Sequence, residues 1–213
     1  MTKKYVLFDF DGTLADSGKV AIEAINQLAE VHGFPKIQAS QFQQLQASAA
    51  IGQQQNTEAM GAFSAVADDF YAIYKQSLHK IPLFPGIREM LEALHANGIG
   101  VAVVSSNEES NIRDYFKAQR LSFITEVYTS SDLFGKASMI KDFCGKHGLH
   151  TGDVLYVGDE ARDIRACHQA DTDVIWVDWG FDGQEEAVKE NPTYMVSSPQ
   201  EIVEISLSNG KKE

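Results

Sequence analysis

The sequence predicts an α/β protein: a doubly wound parallel sheet with a small helical domain inserted after the first strand. Two observations carry this expectation. Short, nearly continuous apolar runs alternate with helix-length amphipathic segments over most of the chain, and one interval from Ala15 to about Pro82 holds no convincing strand. Apolar runs without polar alternation are the mark of strands buried on both faces, as in parallel sheets.

The runs are "YVLF" at 5–8, "IGVAVV" at 99–104, "FITEVYT" at 123–129, "VLYVG" at 154–158, "VIWV" at 174–177 and "MVSS" at 195–198. Helices are expected near 86–97, 109–119, 136–147, 161–170, 183–190 and 199–207. Right-handed crossovers then wind the sheet in both directions. Within the insert, Ile22, Ile25 and Leu28 recur at helical spacing, as do Phe63, Val66, Phe70 and Ile73. Asn56 or Thr57 is placed to cap a helix running to about His79. Eight glutamines between Gln38 and Gln55 are interspersed with Phe42, Leu45 and Ile51, which favours a packed helix over a low-complexity segment. "IPLFPGI" at 81–87, with two prolines, returns the chain to the sheet. The expected division is a core of residues 1–14 plus 83–213 and a helical insert of 15–82.

A net charge of −12 repels polyanions, and the basic pairs Lys3-Lys4 and Lys211-Lys212 lie only at the chain ends. Neither nucleic acid nor a membrane is therefore expected as a partner. Cys144 and Cys167 have neither the number nor the spacing of a disulfide framework or a zinc site. The apolar stretch after Lys4 is broken by Asp9, so no secretory signal is expected, and a reducing cytoplasm fits best. His32, His79, His95, His147, His150 and His168 show no ligand spacing. The oligomeric state stays open between monomer and homodimer.

The chemistry is expected at the end of the first strand, where Asp9 and Asp11 follow four apolar residues. Ligands of open α/β sheets sit beyond the carboxyl ends of the strands. Period-two geometry lets the two side chains point roughly the same way. Carboxylates this close repel, so one is protonated or a cation sits between them. A hard divalent ion with oxygen ligands, Mg²⁺ above all, is the natural partner. The other strand ends on the same rim are polar as well: Ser105-Ser106-Asn107, then Gly158-Asp159-Glu160 with Asp163, while Lys136 opens the helix after the third strand. A Ca²⁺ loop would need glycine where Leu14 stands, and a Walker loop fails at Ser130 and Ala137.

"DFDGTL", "VVSSN", a lysine in "GK" and "VGDEARDI", in that order, resemble the four motifs of the haloacid dehalogenase-like hydrolase superfamily. The insert resembles the helical cap of its phosphoglycolate phosphatase-like branch, and the likeness spans about residues 5–205. It implies a Rossmann-like core and Mg²⁺-dependent hydrolysis of a small phosphorylated metabolite. Asp9 would be the nucleophile that forms an aspartyl-phosphate. Asp9, the Asp11 carbonyl and Asp159 would hold the ion, and the Asp11 side chain would act as acid and base. Ser105 and Lys136 would bind the phosphoryl group, with Gly12, Thr13, Ser106 and Asn107 shaping its pocket. Glu160 and Asp163 would orient metal waters or Lys136.

Dehalogenases of the superfamily lack the second aspartate, so Asp11 favours phosphoryl chemistry. A hexose phosphomutase would carry a cap histidine near Val20 and Ala21, where none stands. A phospho-signalling receiver would end its third strand in aspartate, and Thr129-Ser130-Ser131-Asp132 only approximates one. An inactive binding protein would not be expected to keep all four motifs. For the substrate, 2-phosphoglycolate leads, although residues 15–82 hold no arginine and the third motif reads Gly135-Lys136-Ala137 instead of the common "GKP".

Overall fold

A computed structural model describes residues 2–38, 69–130 and 135–208. The strands are β1 (Tyr5–Phe8), β2 (Gly100–Ser105), β3 (Glu126–Thr129), β4 (Val154–Gly158), β5 (Asp173–Val177) and β6 (Tyr194–Val196). The helices are α1 (Gly18–His32), α2 (Ile87–Ala96), α3 (Glu109–Ala118), α4 (Lys136–His147), α5 (Ala161–Gln169), α6 (Gln184–Lys189) and α7 (Pro199–Leu207). Residues 69–76 are helical too, and a 3₁₀ turn follows at Leu78–Lys80.

All strand pairs are parallel, in the order β3-β2-β1-β4-β5-β6. The chain builds outward from β1 on one side and then returns to pair β4 on the other. The carboxyl ends of β1, β2 and β4 thus meet where the winding reverses, the place such sheets use for ligands.

Each central strand divides its side chains between two cores. Val6, Phe8, Val101, Val103, Leu155, Val157, Ile175 and Val177 face one; Leu7, Ala102, Val104, Val154, Tyr156, Val174 and Trp176 face the other. Ile87, Leu91 and Leu94 of α2 and Ile202 of α7 seal the first, and Ile140 and Phe143 of α4 with Ile164 of α5 seal the second. Burial on both faces is why the strands read as unbroken apolar runs.

Most element boundaries shift by a residue or more from expectation, and four of the shifts have a plain local cause. Gly86 takes φ 81°, so α2 starts after it. β2 lies one residue later than expected, which brings Ser105 into the strand. β3 begins only at Glu126, because Ile124 is held in a turn by its N–H to the Leu121 carbonyl. β6 stops at Val196, since Ser198 and Pro199 form the start of α7.

The chain leaves and re-enters the core through one antiparallel bridge between Ala15 and Leu83. The Asp16 N–H donates to the Pro82 carbonyl at 3.0 Å and the Phe84 N–H to the Leu14 carbonyl at 3.1 Å. Val20 of α1 and Tyr74 join the same apolar cluster as β1. The glutamine-rich helix, the Asn56 or Thr57 cap, and Phe63 and Val66 fall outside the described residues. Among the described residues no helix is long and apolar enough to cross a membrane.

Candidate active site

β1 ends at Phe8, and its ladder is continued once by the Asp9 N–H donating to the Val157 carbonyl at 2.9 Å. Asp9 is therefore delivered to the rim on backbone that is still pinned to β4. Its Oδ1 accepts the Phe10 N–H at 2.7 Å, and its Oδ2 accepts Lys136 Nζ at 2.5 Å. Phe10 then drives into the core, edge-on to Tyr115 at 5.1 Å, and anchors the loop from below.

Lys136 opens α4 but is not solvated; it is 1% exposed. Its Nζ donates to Asp9 and, at 2.5 Å, to Asp163 Oδ1. Burial alone would pull the ammonium down, and the Asp163 and Asp9 charges together outweigh it, so its pKa lies above the lysine norm. Of its three N–H donors, two are engaged by these carboxylates.

Asp159 directly follows β4, and Asp163 lies in the first turn of α5. Asp159 Oδ1 accepts Thr13 Oγ1 at 2.6 Å and Oδ2 accepts the Phe181 N–H at 2.8 Å, while its carbonyl accepts Trp176 Nε1 at 2.7 Å. Two glycines let the backbone close around this side chain. A Cβ on Gly12, at φ +78°, would lie 2.3 Å from Asp159 Oδ2, and one on Gly180 would lie 2.1 Å from Asp159 Cβ. Asp163 Oδ2 accepts the Glu160 N–H at 3.2 Å, and its Oδ1 also takes the Tyr156 hydroxyl at 3.3 Å. Gly158 leaves room for it, since a Cβ there would come within 2.4 Å of Oδ2.

Asp9, Asp159 and Asp163 are buried, each offering an oxygen within 4.8 Å of the others. With Glu160, which pairs with Arg162, they make four carboxyl groups against the two cations Lys136 and Arg162, so full ionisation would leave two negative charges unmatched. Burial first, then Glu160, Asp9 and Asp163, push the Asp159 carboxyl well above the aspartate norm. Burial likewise raises Asp9 against the pull of Lys136. An all-oxygen donor set with two unmatched charges fits a hard divalent cation, and Mg²⁺ suits it.

Asp11 does not join this cluster. The chain turns at Gly12 and strand geometry has ended by Phe8, so the period-two expectation for Asp9 and Asp11 fails. Asp11 Oδ1 accepts the Tyr74 hydroxyl at 2.5 Å, and Oδ2 accepts Asn107 Nδ2 at 2.8 Å. The Asn107 amide is oriented in turn, because its Oδ1 accepts the Glu108 N–H at 2.7 Å.

Ser105 is 1% exposed and its Oγ accepts the Asn107 N–H at 3.2 Å, tightening the turn after β2. The carbonyl of Ser106 accepts the Tyr71 hydroxyl at 2.9 Å. Thr13 is buried on Asp159, and its carbonyl accepts Trp179 Nε1 at 3.0 Å.

Sequence reasoning thus located the aspartates, Ser105, Asn107 and Lys136 on one rim, and it missed Tyr71, Tyr74, Trp179, Gly180 and Phe181. The loop after β5 carries the last three, and extending the strand-end argument to that strand would have found them. No comparable signal marked the tyrosines, whose helical spacing says only that one helix face is apolar.

A doubly wound sheet that gathers four carboxyl groups and a buried lysine on one rim, with the helical residues 69–76 against it, defines an acid-rimmed α/β protein. The model of the haloacid dehalogenase-like hydrolases matches residues 6–177, and the chain belongs to that family. It is 26% identical over 208 residues to a phosphoglycolate phosphatase of Synechococcus elongatus, covering 93% of this chain and 95% of that one. A phosphoglycolate phosphatase of Vibrio parahaemolyticus is 24% identical over 220 residues, with 95% of each chain covered. A haloacid dehalogenase-like family hydrolase from Streptococcus pneumoniae superposes with a TM-score of 0.80 at 22% identity, over 95% of this chain and 98% of that one. A protein described as a "predicted phosphatase" from Clostridium acetobutylicum gives 0.83 at 20% identity, over 96% and 98%.

Proposed function

We propose that this haloacid dehalogenase-like phosphatase hydrolyses a small phosphomonoester, with Mg²⁺ as cofactor, through a phosphoryl group carried on Asp9. The observation that carries the reading is the separation of two aspartates only two residues apart. Asp9 lies in a buried, charge-dense cluster, and Asp11 is held by neutral donors outside it. Two carboxylates in different surroundings can take different roles.

In this scheme an Asp9 carboxylate oxygen attacks phosphorus in line, and the bond to the leaving oxygen breaks as Asp11 supplies its proton. Water then attacks the phosphorus of the aspartyl-phosphate, giving up a proton to Asp11, and the Asp9–phosphoryl bond breaks. Inorganic phosphate leaves and both aspartates are restored. The third Lys136 N–H and the Ser105 hydroxyl are the donors for the phosphoryl oxygens, whose charge spreads in the transition state. Mg²⁺, held by the Asp9 and Asp159 carboxylates and the Asp11 carbonyl, would match the two spare negative charges and screen Asp9 from a phosphate dianion. Asp163 is already committed to Lys136, Tyr156 and the Glu160 N–H, which suits orienting the lysine better than holding the ion.

The likeness to two phosphoglycolate phosphatases makes 2-phosphoglycolate the first substrate to try. The bridge at Ala15 and Leu83 supports the division into a core of 1–14 plus 83–213 and an insert of 15–82. Free, buried Cys144 and Cys167 accord with a cytoplasmic setting.

The test is hydrolysis of 2-phosphoglycolate and p-nitrophenyl phosphate with Mg²⁺, by wild type and Asp9→Asn. Wild type should release phosphate, stop with a chelator and carry an acid-stable, hydroxylamine-labile label. The variant should show none of these. Turnover that persists in Asp9→Asn would overturn the proposal.

A further inference from the structure

Tyr74 has no place in the chemistry so far, yet among the described residues it makes one of the two side-chain hydrogen bonds to Asp11. It comes from the helical residues 69–76 of the insert, while Asp11 lies in the loop after β1, 63 positions away in the chain. The phenol is 1% exposed and its ring packs with Phe70, 5.9 Å between centroids, inside the apolar cluster that also holds Val6 and Phe8. Its hydroxyl therefore sits on a ring with little freedom to move. On the other side, Asn107 is held by the backbone of the β2–α3 turn. Each carboxylate oxygen of Asp11 consequently has one donor from a fixed support, one from the core and one from the insert.

We infer that Tyr74 is a positioning residue for Asp11, so that the segment between β1 and β2 supplies part of the acid/base apparatus. The inference rests on the acid/base role proposed for Asp11. A carboxyl held at both oxygens cannot rotate freely about its Cβ–Cγ bond, so its remaining lone pairs keep a set direction toward the rim. A phenol suits this task because its O–H can donate to the same Asp11 oxygen whether the carboxyl is ionised or neutral, so the contact survives both halves of the reaction and leaves the acid proton free for the leaving oxygen. Burial, and then the neighbouring Asp11 charge, keep the phenol protonated far above neutral pH. Tyr71 lies three residues earlier on the same helical segment and donates to the Ser106 carbonyl instead of to Asp11, although burial and then the Asp11 charge raise its phenol too. The pair offers an internal control.

The experiment compares kcat/KM for 2-phosphoglycolate, whose alkoxide leaving group needs a proton, with that for p-nitrophenyl phosphate, whose phenolate leaves with little help. This ratio reports the first phosphoryl transfer for both esters. Tyr74→Phe keeps the packed ring and removes only the hydroxyl. It should lower kcat/KM for the alkyl ester by roughly 10- to 100-fold, the usual range for a hydrogen bond to a charged group, and leave the aryl ester little changed. Tyr71→Phe should affect the two esters alike. Asp11→Asn should show the same discrimination as Tyr74→Phe, only larger. Equal losses on both esters in Tyr74→Phe, or no loss on either, would overturn the inference while Asp11→Asn still discriminates. If Asp11→Asn itself fails to discriminate, the acid/base assignment falls and the tyrosine's role goes with it.

Discussion

Asp9 and Asp11 are neighbours in sequence and strangers in chemistry. Asp9 is 2% exposed among Asp159, Asp163 and Lys136, all of them fixed to strand ends or helix starts of the sheet. Asp11 is half-buried, and neutral groups from Asn107 and Tyr74 hold it. Around Asp9, ionisation of each group depends on the others, so function and stability are coupled. Around Asp11 the supports are single hydrogen bonds, and their loss should appear in rate before it appears in stability. A D-x-D motif therefore does not specify two equivalent ligands. In the proposed scheme, nucleophile and acid/base would be distinguished by which carboxylate stays with the sheet and which is held by the helical residues 69–76.

The sharpest way to break this comparison is to remove the lysine. Lys136→Met keeps the volume and deletes the cation that Asp9 and Asp163 share at 2.5 Å each. Leaving buried charges without a partner typically costs about 3–5 kcal/mol, so the urea midpoint should fall steeply along with activity. Tyr74→Phe, on the other side, should leave the midpoint close to wild type. Similar midpoints for the two variants would show that the halves of the site are not energetically distinct.

Glu160 supplies a test by pH. Burial, then Asp163 and Asp9, push it up to about 7 from an ordinary 4.5, against the pull of Arg162 and Lys136. Below pH 4.5 folded and unfolded chains both hold this proton, and above about 7 neither does. Between those values only the folded chain keeps it, so stability falls as pH rises, on the order of 3 kcal/mol over the window. Urea midpoints of metal-free protein should therefore be higher at about pH 5 than at about pH 8. Glu160→Gln should flatten that slope, and added Mg²⁺ should restore stability chiefly at the higher pH. A slope unchanged by Glu160→Gln would contradict the account.

The rim was legible because a parallel sheet makes two separate demands on sequence. Strands covered on both faces must be apolar throughout, and polar residues are then pushed to their ends. Asp9, Ser105 and Asp159 stand out against β1, β2 and β4 for that reason, and chain order alone sets them on one edge. Direction was not legible. Whether Asp11 follows Asp9 or turns away depends on the strand ending at Phe8 and on the turn at Gly12, and neither leaves a periodic trace. Tyr74 was hidden for a similar reason. Its partner is 63 positions away, and a helix face that looks merely apolar can carry one hydroxyl to a precise place.

The smallest expected effect concerns the loop after β5, which holds the Asp159 carboxylate oxygen that Thr13 does not use. A Cβ at Gly180 would fall 2.1 Å from Asp159 Cβ and 2.4 Å from its Oδ2, so Gly180→Ala must displace the carboxylate or the loop. Overpacking of this kind usually costs about 1–3 kcal/mol, less than the loss of a buried charge pair. The Phe181 N–H to Asp159 Oδ2 bond, 2.8 Å in the native arrangement, should lengthen or break as the loop gives way. Asp159 is a proposed ligand of Mg²⁺, so the Mg²⁺ concentration for half-maximal activity should rise while the leaving-group discrimination assigned to Asp11 stays as in wild type. Titration of activity with Mg²⁺ on the alkyl and aryl esters reads both quantities at once. A change in discrimination without a change in Mg²⁺ requirement would mean that the β5 loop serves the Asp11 side, and the division of the site drawn from Asp9 and Asp11 would have to be redrawn.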